Sequence, residues 1–364
     1  MRIEGISEND QIANINEANQ PKNMDFTLSL SAIKASLRTK IKLYKKRAQE
    51  IERYLSKKPE EWGKFQNEFN SEVNSIFRDI MDFEKANLLN GRQDKVDKLR
   101  RVFINRLRKI FVRGVYIAWG LRKPFGYAGD FKIIDDIYQN NPTTTGFDRL
   151  FDNYFQMSAI CVAVRNRKED FKRLIANFAN EKQRYPLRIM SLGSGPCRDI
   201  KEFISPDIPL NKNIIFDCYD SDERALKFAK SILSNYSNVN FIKQSVLRIA
   251  ATKNINSMIN KKYDFIYATG LFDYFNYKIS VRIMQSLKKL LNINGILVIS
   301  NVRDKYSNPS VHFMEWVGDW HLIYRNEGEF REIFIEAGFK EDELRTQYEQ
   351  QGIMQYIIAS NKEG

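Results

Sequence analysis

Apolar residues return every three or four positions from Asp25 to about Gly120, and they gather into short continuous runs from Leu187 onward. The first pattern predicts helices, because residues three and four apart share one helix face. Val96, Leu99, Val102, Phe103, Leu107, Ile110 and Phe111 make such a face. Ahead of it, Thr27 or Ser29 stands where a cap opens a helix through Leu43 and Ile51 to Tyr54. Pro59-Glu60-Glu61-Trp62 opens another, with Pro in the first turn and acids at the positive end of the dipole. Residues 121–146 break the pattern with Lys123-Pro124, Gly126-Tyr127-Ala128-Gly129-Asp130 and Asn140-Asn141-Pro142-Thr143, which predict loops around a short helix. Helix resumes over 147–180.

The second pattern predicts strands at Leu187–Leu192, Ile214–Tyr219, Val239–Ile242, Tyr263–Ala268, Gly295–Asn301 and Gln355–Ser360. Helices fit between them at 222–234, 277–291 and 327–337. Strands that alternate with helices form a mainly parallel sheet covered on both faces. The expected organisation is a flexible polar arm over 1–25, a helical cap over 26–120, a loop and helical connection over 121–180, and an α/β domain over 181–364.

Composition narrows the chemistry. The chain has 364 residues, 43% of them hydrophobic, which excludes wholesale disorder. No run nears the roughly 18 apolar residues of a membrane span, and the first twenty residues hold no apolar signal core. The expected location is therefore cytoplasmic. Cys161, Cys197 and Cys218 are scattered and His312 and His321 are the only histidines, so no disulfide framework or metal site is expected. The net charge of +13 admits nucleic acid, a membrane surface or an acidic small substrate. More than half of that excess falls in the first 120 residues, outside the strand-rich part, which sets nucleic acid aside as a partner. The basic faces Lys40–Arg47 and Lys98–Arg113 read first as solvated helix surface, and second as contacts for an acyl carrier or a membrane surface.

The first strand ends in Ser191-Leu192-Gly193-Ser194-Gly195-Pro196-Cys197-Arg198-Asp199. Two glycines after a buried strand let the backbone turn sharply and let a ligand approach the main chain. The second strand ends in Asp220, an acid placed to accept hydrogen bonds from ribose hydroxyls. Arg198 stands where a dinucleotide fingerprint has its third glycine, and no P-loop Lys-Ser/Thr follows. A nucleoside ligand without pyrophosphate fits best.

Together these features resemble class I S-adenosylmethionine-dependent methyltransferases. The resemblance implies a Rossmann-like sheet of seven strands and S-adenosylmethionine as cofactor. It implies cofactor contacts at Gly193, Ser194, Gly195, Asp220 and Ser221, at Ser245 and Val246 after the third strand, and at Thr269 and Gly270 after the fourth. Arg165, in the apolar stretch Ala163-Val164-Arg165, reads as a clamp on the methionine carboxylate or as a structural ion pair. The Asp/Asn-Pro-Pro-Tyr/Phe motif of many nucleic-acid and protein amino methyltransferases is replaced by Ala268-Thr269-Gly270-Leu271-Phe272-Asp273-Tyr274.

Three segments read together, 126–138, 270–275 and 308–325, with Ala163–Arg167, resemble a narrower bacterial group carrying the label 3-hydroxypalmitic acid methyl ester biosynthesis proteins. That resemblance implies a small-molecule acceptor, such as a hydroxy fatty acid whose carboxylate becomes a methyl ester. Tyr127, Asp130, Asp273, Tyr274 and Arg325 are then the catalytic candidates, and Asn301, His312, Glu315 and Tyr324 the acceptor contacts. An ionised carboxylate needs no base, whereas an amine would call on Asp130, Asp273, His312 or Glu315. Two other readings stay open. One is attack on the aminocarboxypropyl arm, including cyclisation to azetidine-2-carboxylate with release of methylthioadenosine. The other is a non-catalytic module that binds the cofactor or nucleic acid.

Overall fold

Ser29 opens the first helix, its hydroxyl accepting the backbone N–H of Ala32 at 3.1 Å. The computed structural model describes residues 29–182, 186–204 and 213–362. The arm expected over 1–25, and Thr27 as a cap, lie outside the described residues. Among the described residues, seven α-helices precede the sheet: α1 (Leu30–Leu55), α2 (Gln66–Leu89), α3 (Gln93–Arg106), α4 (Val115–Arg122), α5 (Phe131–Gln139), α6 (Gly146–Met157) and α7 (Ala159–Glu181). The Pro59 signal opens only a short 3-10 turn, Pro59–Lys64. The helix expected over 147–180 is two helices, broken at Ser158, which adopts an extended ψ of 144°. There the Ser310 hydroxyl accepts the Ala159 N–H at 3.1 Å, so a residue about 150 positions away replaces the lost helical bond.

The second half runs β1 (Leu187–Leu192), α8 (Arg198–Phe203), β2 (Ile214–Asp220), α9 (Glu223–Ile232), β3 (Val239–Lys243), α10 (Val246–Ala251), α11 (Ile255–Met258), β4 (Tyr263–Ala268), α12 (Tyr277–Leu290), β5 (Leu291–Val302), α13 (Glu327–Glu336), β6 (Leu344–Tyr348) and β7 (Met354–Ser360). The sheet order is β3-β2-β1-β4-β5-β7-β6, parallel from β1 to β5 and antiparallel at β5–β7 and β6–β7. This is the expected Rossmann-like sheet of seven strands with a helical N-terminal region. The chain winds one way through β1, β2 and β3 and the other way through β4 and β5. A ligand crevice opens at such a reversal, beyond the carboxyl ends of the strands.

Two cores flank the sheet. Met190, Ile266, Leu297 and Ile357 point to one face and pack on α12 and α13. Ile189, Phe265, Val298 and Ile358 point to the other and join a core that continues through Phe171 and Phe151 to Phe69, Phe77 and Leu37 of the helical region. The helices therefore share their core with one sheet face.

A buried ionic cluster fastens the two parts. Glu84 of α2 lies 2.6 Å from Lys305 Nζ and 3.2 Å from His312 Nε2, and Lys305 also lies 2.9 Å from Glu315. The Tyr324 hydroxyl donates to Glu315 at 3.1 Å. Burial alone would raise the Glu84 carboxyl, but His312 and Lys305 outweigh it and hold it down at about 2. Its unfolded value is about 4.3, so its contribution is full above that pH and is lost as pH falls through about 2. Glu84→Ala leaves Lys305 and His312 facing no Glu84 carboxylate, and should cost about 3 kcal/mol at neutral pH. Urea unfolding of both forms checks this, and the gap between them should shrink from pH 4 toward pH 2 (about the window of that titration).

Candidate active site

The turn after β1 is wound by left-handed residues, Gly193 at φ 63°, Gly195 at φ 54° and Cys197 at φ 52°. Gly193 N–H and Ser194 N–H both donate to the Tyr219 carbonyl, at 2.8 and 3.0 Å. That bond ties the turn to the end of β2. A Cβ on Gly193 would stand 3.1 Å from Leu271, whereas one on Gly195 would meet nothing within 4 Å. The backbone at Gly195 thus faces open space. Asp220 sits beside it, one carboxylate oxygen accepting Gly195 N–H and the other Asp222 N–H, each at 2.9 Å. Burial raises the Asp220 carboxyl, and those two backbone donors oppose the shift.

A cavity of about 430 Å³ starts at this turn and crosses the carboxyl edge of the sheet. Twelve sequence candidates line it. They are Gly193, Ser194, Gly195, Asp220 and Ser221 near β1 and β2, Ser245 and Val246 after β3, and Thr269, Gly270, Asp273 and Tyr274 after β4, with Tyr127 on the loop ahead of α5. The far wall is apolar. Tyr116 and Ile117 of α4, Ile160, Cys161 and Val164 of α7, and Phe313 and Met314 after β5 form a chamber there.

The other seven candidates do not line the cavity, and each has a structural occupation. Asp130 caps α5, accepting from Lys132 and Ile133 backbone N–H and from Trp119 Nε1. Arg165 donates to the Gln156 carbonyl at 2.8 Å and to its side chain at 3.0 Å. Arg325 donates to the Phe272 and Phe275 carbonyls and to Asn301 Oδ1. Asn301 in turn donates to the Val302 and Ile323 carbonyls. These two brace the turn after β4 from behind. His312, Glu315 and Tyr324 belong to the ionic cluster with Glu84.

The arginine on the cavity wall is Arg167, two residues beyond the one singled out from the sequence. It is 3% exposed, and its Nε has no partner. A Cβ on Gly270 would stand 2.7 Å from its guanidinium, so that glycine makes room for it. Burial works against its charge, but Tyr138 and Asp273 outweigh it and raise its pKa. Burial likewise pushes the Asp273 carboxyl up, against Arg167, the Val302 N–H at 2.8 Å and Arg325. Asp199 also lines the cavity, accepting from the Tyr267 hydroxyl at 2.8 Å, and burial raises it too. Helical periodicity could have found Arg167: Ile160, Val164 and Arg167 stand four and three apart, on one face of α7. Arg165 falls on a different face.

The loop ahead of α5 straps over the mouth. Tyr127 donates to Asp222 at 3.2 Å, Arg224 donates to the Phe125 carbonyl at 3.1 Å, and Lys123 pairs with Asp319 at 2.7 Å. Gly129 is required here: a Cβ would stand 2.6 Å from the Tyr274 hydroxyl and 2.7 Å from the Trp320 ring. Among the described residues there is no His/Cys/Asp/Glu group fit to hold a metal, and no helix long and apolar enough to cross a membrane.

Residues 186–352 match the family model described as a methyltransferase domain. No curated protein matches the chain. Among solved structures, one described as a possible exported protein from Bordetella parapertussis is 15% identical, covers 72% of this chain and 96% of its own, and superposes with a TM-score of 0.55, which shows a common fold. The CMeT domain of the citrinin polyketide synthase is 14% identical, over 67% of this chain and 60% of its own, with a TM-score of 0.49. Magnesium protoporphyrin IX methyltransferase from Synechocystis PCC 6803 is 12% identical, over 70% of this chain and all 100% of its own, with a TM-score of 0.45. Residues 186–352, a little under half of the chain, thus match a methyltransferase domain, which supports a transferase that uses S-adenosylmethionine.

Proposed function

We propose that the protein transfers the methyl group of S-adenosylmethionine to a small acceptor whose apolar body lies in the chamber between α4, α7 and the segment after β5. The observation that carries this reading is the continuity of one cavity, from Asp220 past the Gly193–Gly195 turn and Arg167 to that chamber. The polar atoms along it suit the cofactor. Asp220 keeps lone pairs for the ribose hydroxyls, and Ser245 and Val246 border the base. Ser194 Oγ and Arg167 Nε are buried without partners, as donors waiting for a ligand would be. Arg167 takes the role first expected of Arg165, holding the methionine carboxylate, and Asp199 faces the ammonium.

The cofactor supplies an electrophilic methyl on a sulfonium. What remains for the chain is to hold the acceptor in line and to keep water away. Tyr127, Gly129 and Tyr274 close the mouth, and the apolar chamber orients the acceptor. Of the acceptor expected from the sequence, a hydroxy fatty acid, the chamber supports the alkyl body. Among the described residues, Arg167, the residue that holds the methionine carboxylate in this reading, is the one basic side chain on the cavity wall.

Three outcomes follow. Asp220→Ala should weaken S-adenosylmethionine binding about tenfold or more by calorimetry, the cost of lost hydrogen bonds to a buried ligand. Arg167→Gln should do the same, while Arg165→Gln stays within about twofold; the reverse order would return the carboxylate to Arg165. Mass spectrometry of the protein with cofactor should show S-adenosylhomocysteine only when an acceptor is added. Methylthioadenosine formed without one would overturn methyl transfer.

A further inference from the structure

We infer that the acceptor is a small amine with an apolar body, methylated on nitrogen. The inference rests on the methyl-transfer reading above and adds the chemistry of the reacting group.

The first ground is charge. Asp199, Asp220 and Asp273 line the cavity, and among the described residues Arg167 is the one cationic side chain that does so. Arg167 already has Asp273 and Tyr138 as electrostatic neighbours. The chamber itself is walled by Ile117, Ile160, Val164, Phe313, Met314 and Leu322, none of which carries charge. An anionic head would enter an acidic cavity and find no free cation. A neutral head avoids that repulsion, and the cation it becomes on methylation meets a favourable field, strongest where water is excluded.

The second ground is the change in charge during reaction. The amine nitrogen forms a bond to the methyl carbon as the carbon–sulfur bond breaks, and that electron pair stays on sulfur. The positive charge moves from sulfonium to the new alkylammonium, so the buried acids keep their counter-charge. Attack by a carboxylate would cancel a positive and a negative charge and remove the sulfonium's share of that counter-charge from the cavity.

The third ground is the proton. A hydroxyl acceptor needs a base as it reacts. Asp220 already accepts two backbone N–H groups, Asp273 accepts Val302 N–H and Asp199 accepts the Tyr267 hydroxyl. Asp130, His312 and Glu315 lie off the cavity wall. An amine that enters as its neutral form needs none of them, because its proton is left to water before it binds and the product leaves as the alkylammonium. The chamber favours that neutral form, since burial penalises an ammonium.

The test compares three heads on the same body. The full chain is given S-adenosylmethionine with hexyl, decyl or phenylpropyl amines, alcohols or carboxylates, and products are read by mass spectrometry. Binding of each to the S-adenosylhomocysteine-loaded protein is read by calorimetry. The expected result is N-methylation at least about tenfold faster than ester or ether formation, with tighter binding of the amines. The rate should climb from about pH 7 to about pH 9 as the neutral amine fraction grows. Leu322→Lys, which puts a cation in the chamber wall, should weaken amine binding and strengthen carboxylate binding. Preference for carboxylates or alcohols, or no turnover of any amine while the cofactor binds, overturns the amine assignment. Failure of the cofactor to bind overturns instead the methyl-transfer reading beneath it.

Discussion

The site depends on one constraint, the bonding of the turn after β1 to the end of β2. Gly193 and Ser194 donate to the Tyr219 carbonyl, and Gly195 donates to the Asp220 carboxylate. These bonds require left-handed backbone at Gly193 and Gly195, which only glycine adopts without a steric penalty. Because both Asp220 carboxylate oxygens accept main-chain N–H groups, its side chain is held in one rotamer. The cavity therefore begins at a fixed carboxylate, and everything farther along the sheet edge is placed relative to it.

Beyond that turn, the cavity is shaped by residues that never touch it. Arg325 and Asn301 hold the turn after β4 through main-chain carbonyls, which fixes Asp273 and Tyr274 on the wall. The Glu84, Lys305, His312 and Glu315 cluster ties the segment after β5 to α2. One side of that segment carries the buried charges, and the other presents Phe313 and Met314 to the chamber. The helical region is thus part of the cavity wall. The core it shares with the sheet makes the same point in apolar terms.

Much of the fold was legible in the chain. Leu187–Leu192 and Tyr263–Ala268 form the expected strands with their expected limits, since fully buried parallel strands read as continuous apolar runs. β6 left no such trace, because Leu344–Tyr348 is an edge strand with exposed Arg345 and Tyr348 neighbours and a polar sequence. The turn beside Asp220 was legible for the same reason as the strands: glycines and an acid at strand ends are local signals. The rest of the cavity wall was less so. Asp130, Arg325, His312 and Glu315 are polar residues in loops and turns, and sequence does not separate a buried brace from a buried contact.

What the sequence determined by itself was the mainly parallel sheet and the turn beside Asp220, set by local periodicity and by backbone freedom at glycine. Only the tertiary structure decided that Arg167 and not Arg165 meets the cavity, that His312 and Glu315 face a carboxylate of α2, and that the chamber wall is free of charge. Those outcomes rest on which of two adjacent helix or loop positions turns inward. That choice is made by packing between elements more than 100 residues apart, such as Glu84 and His312, and leaves no mark on either stretch of sequence alone.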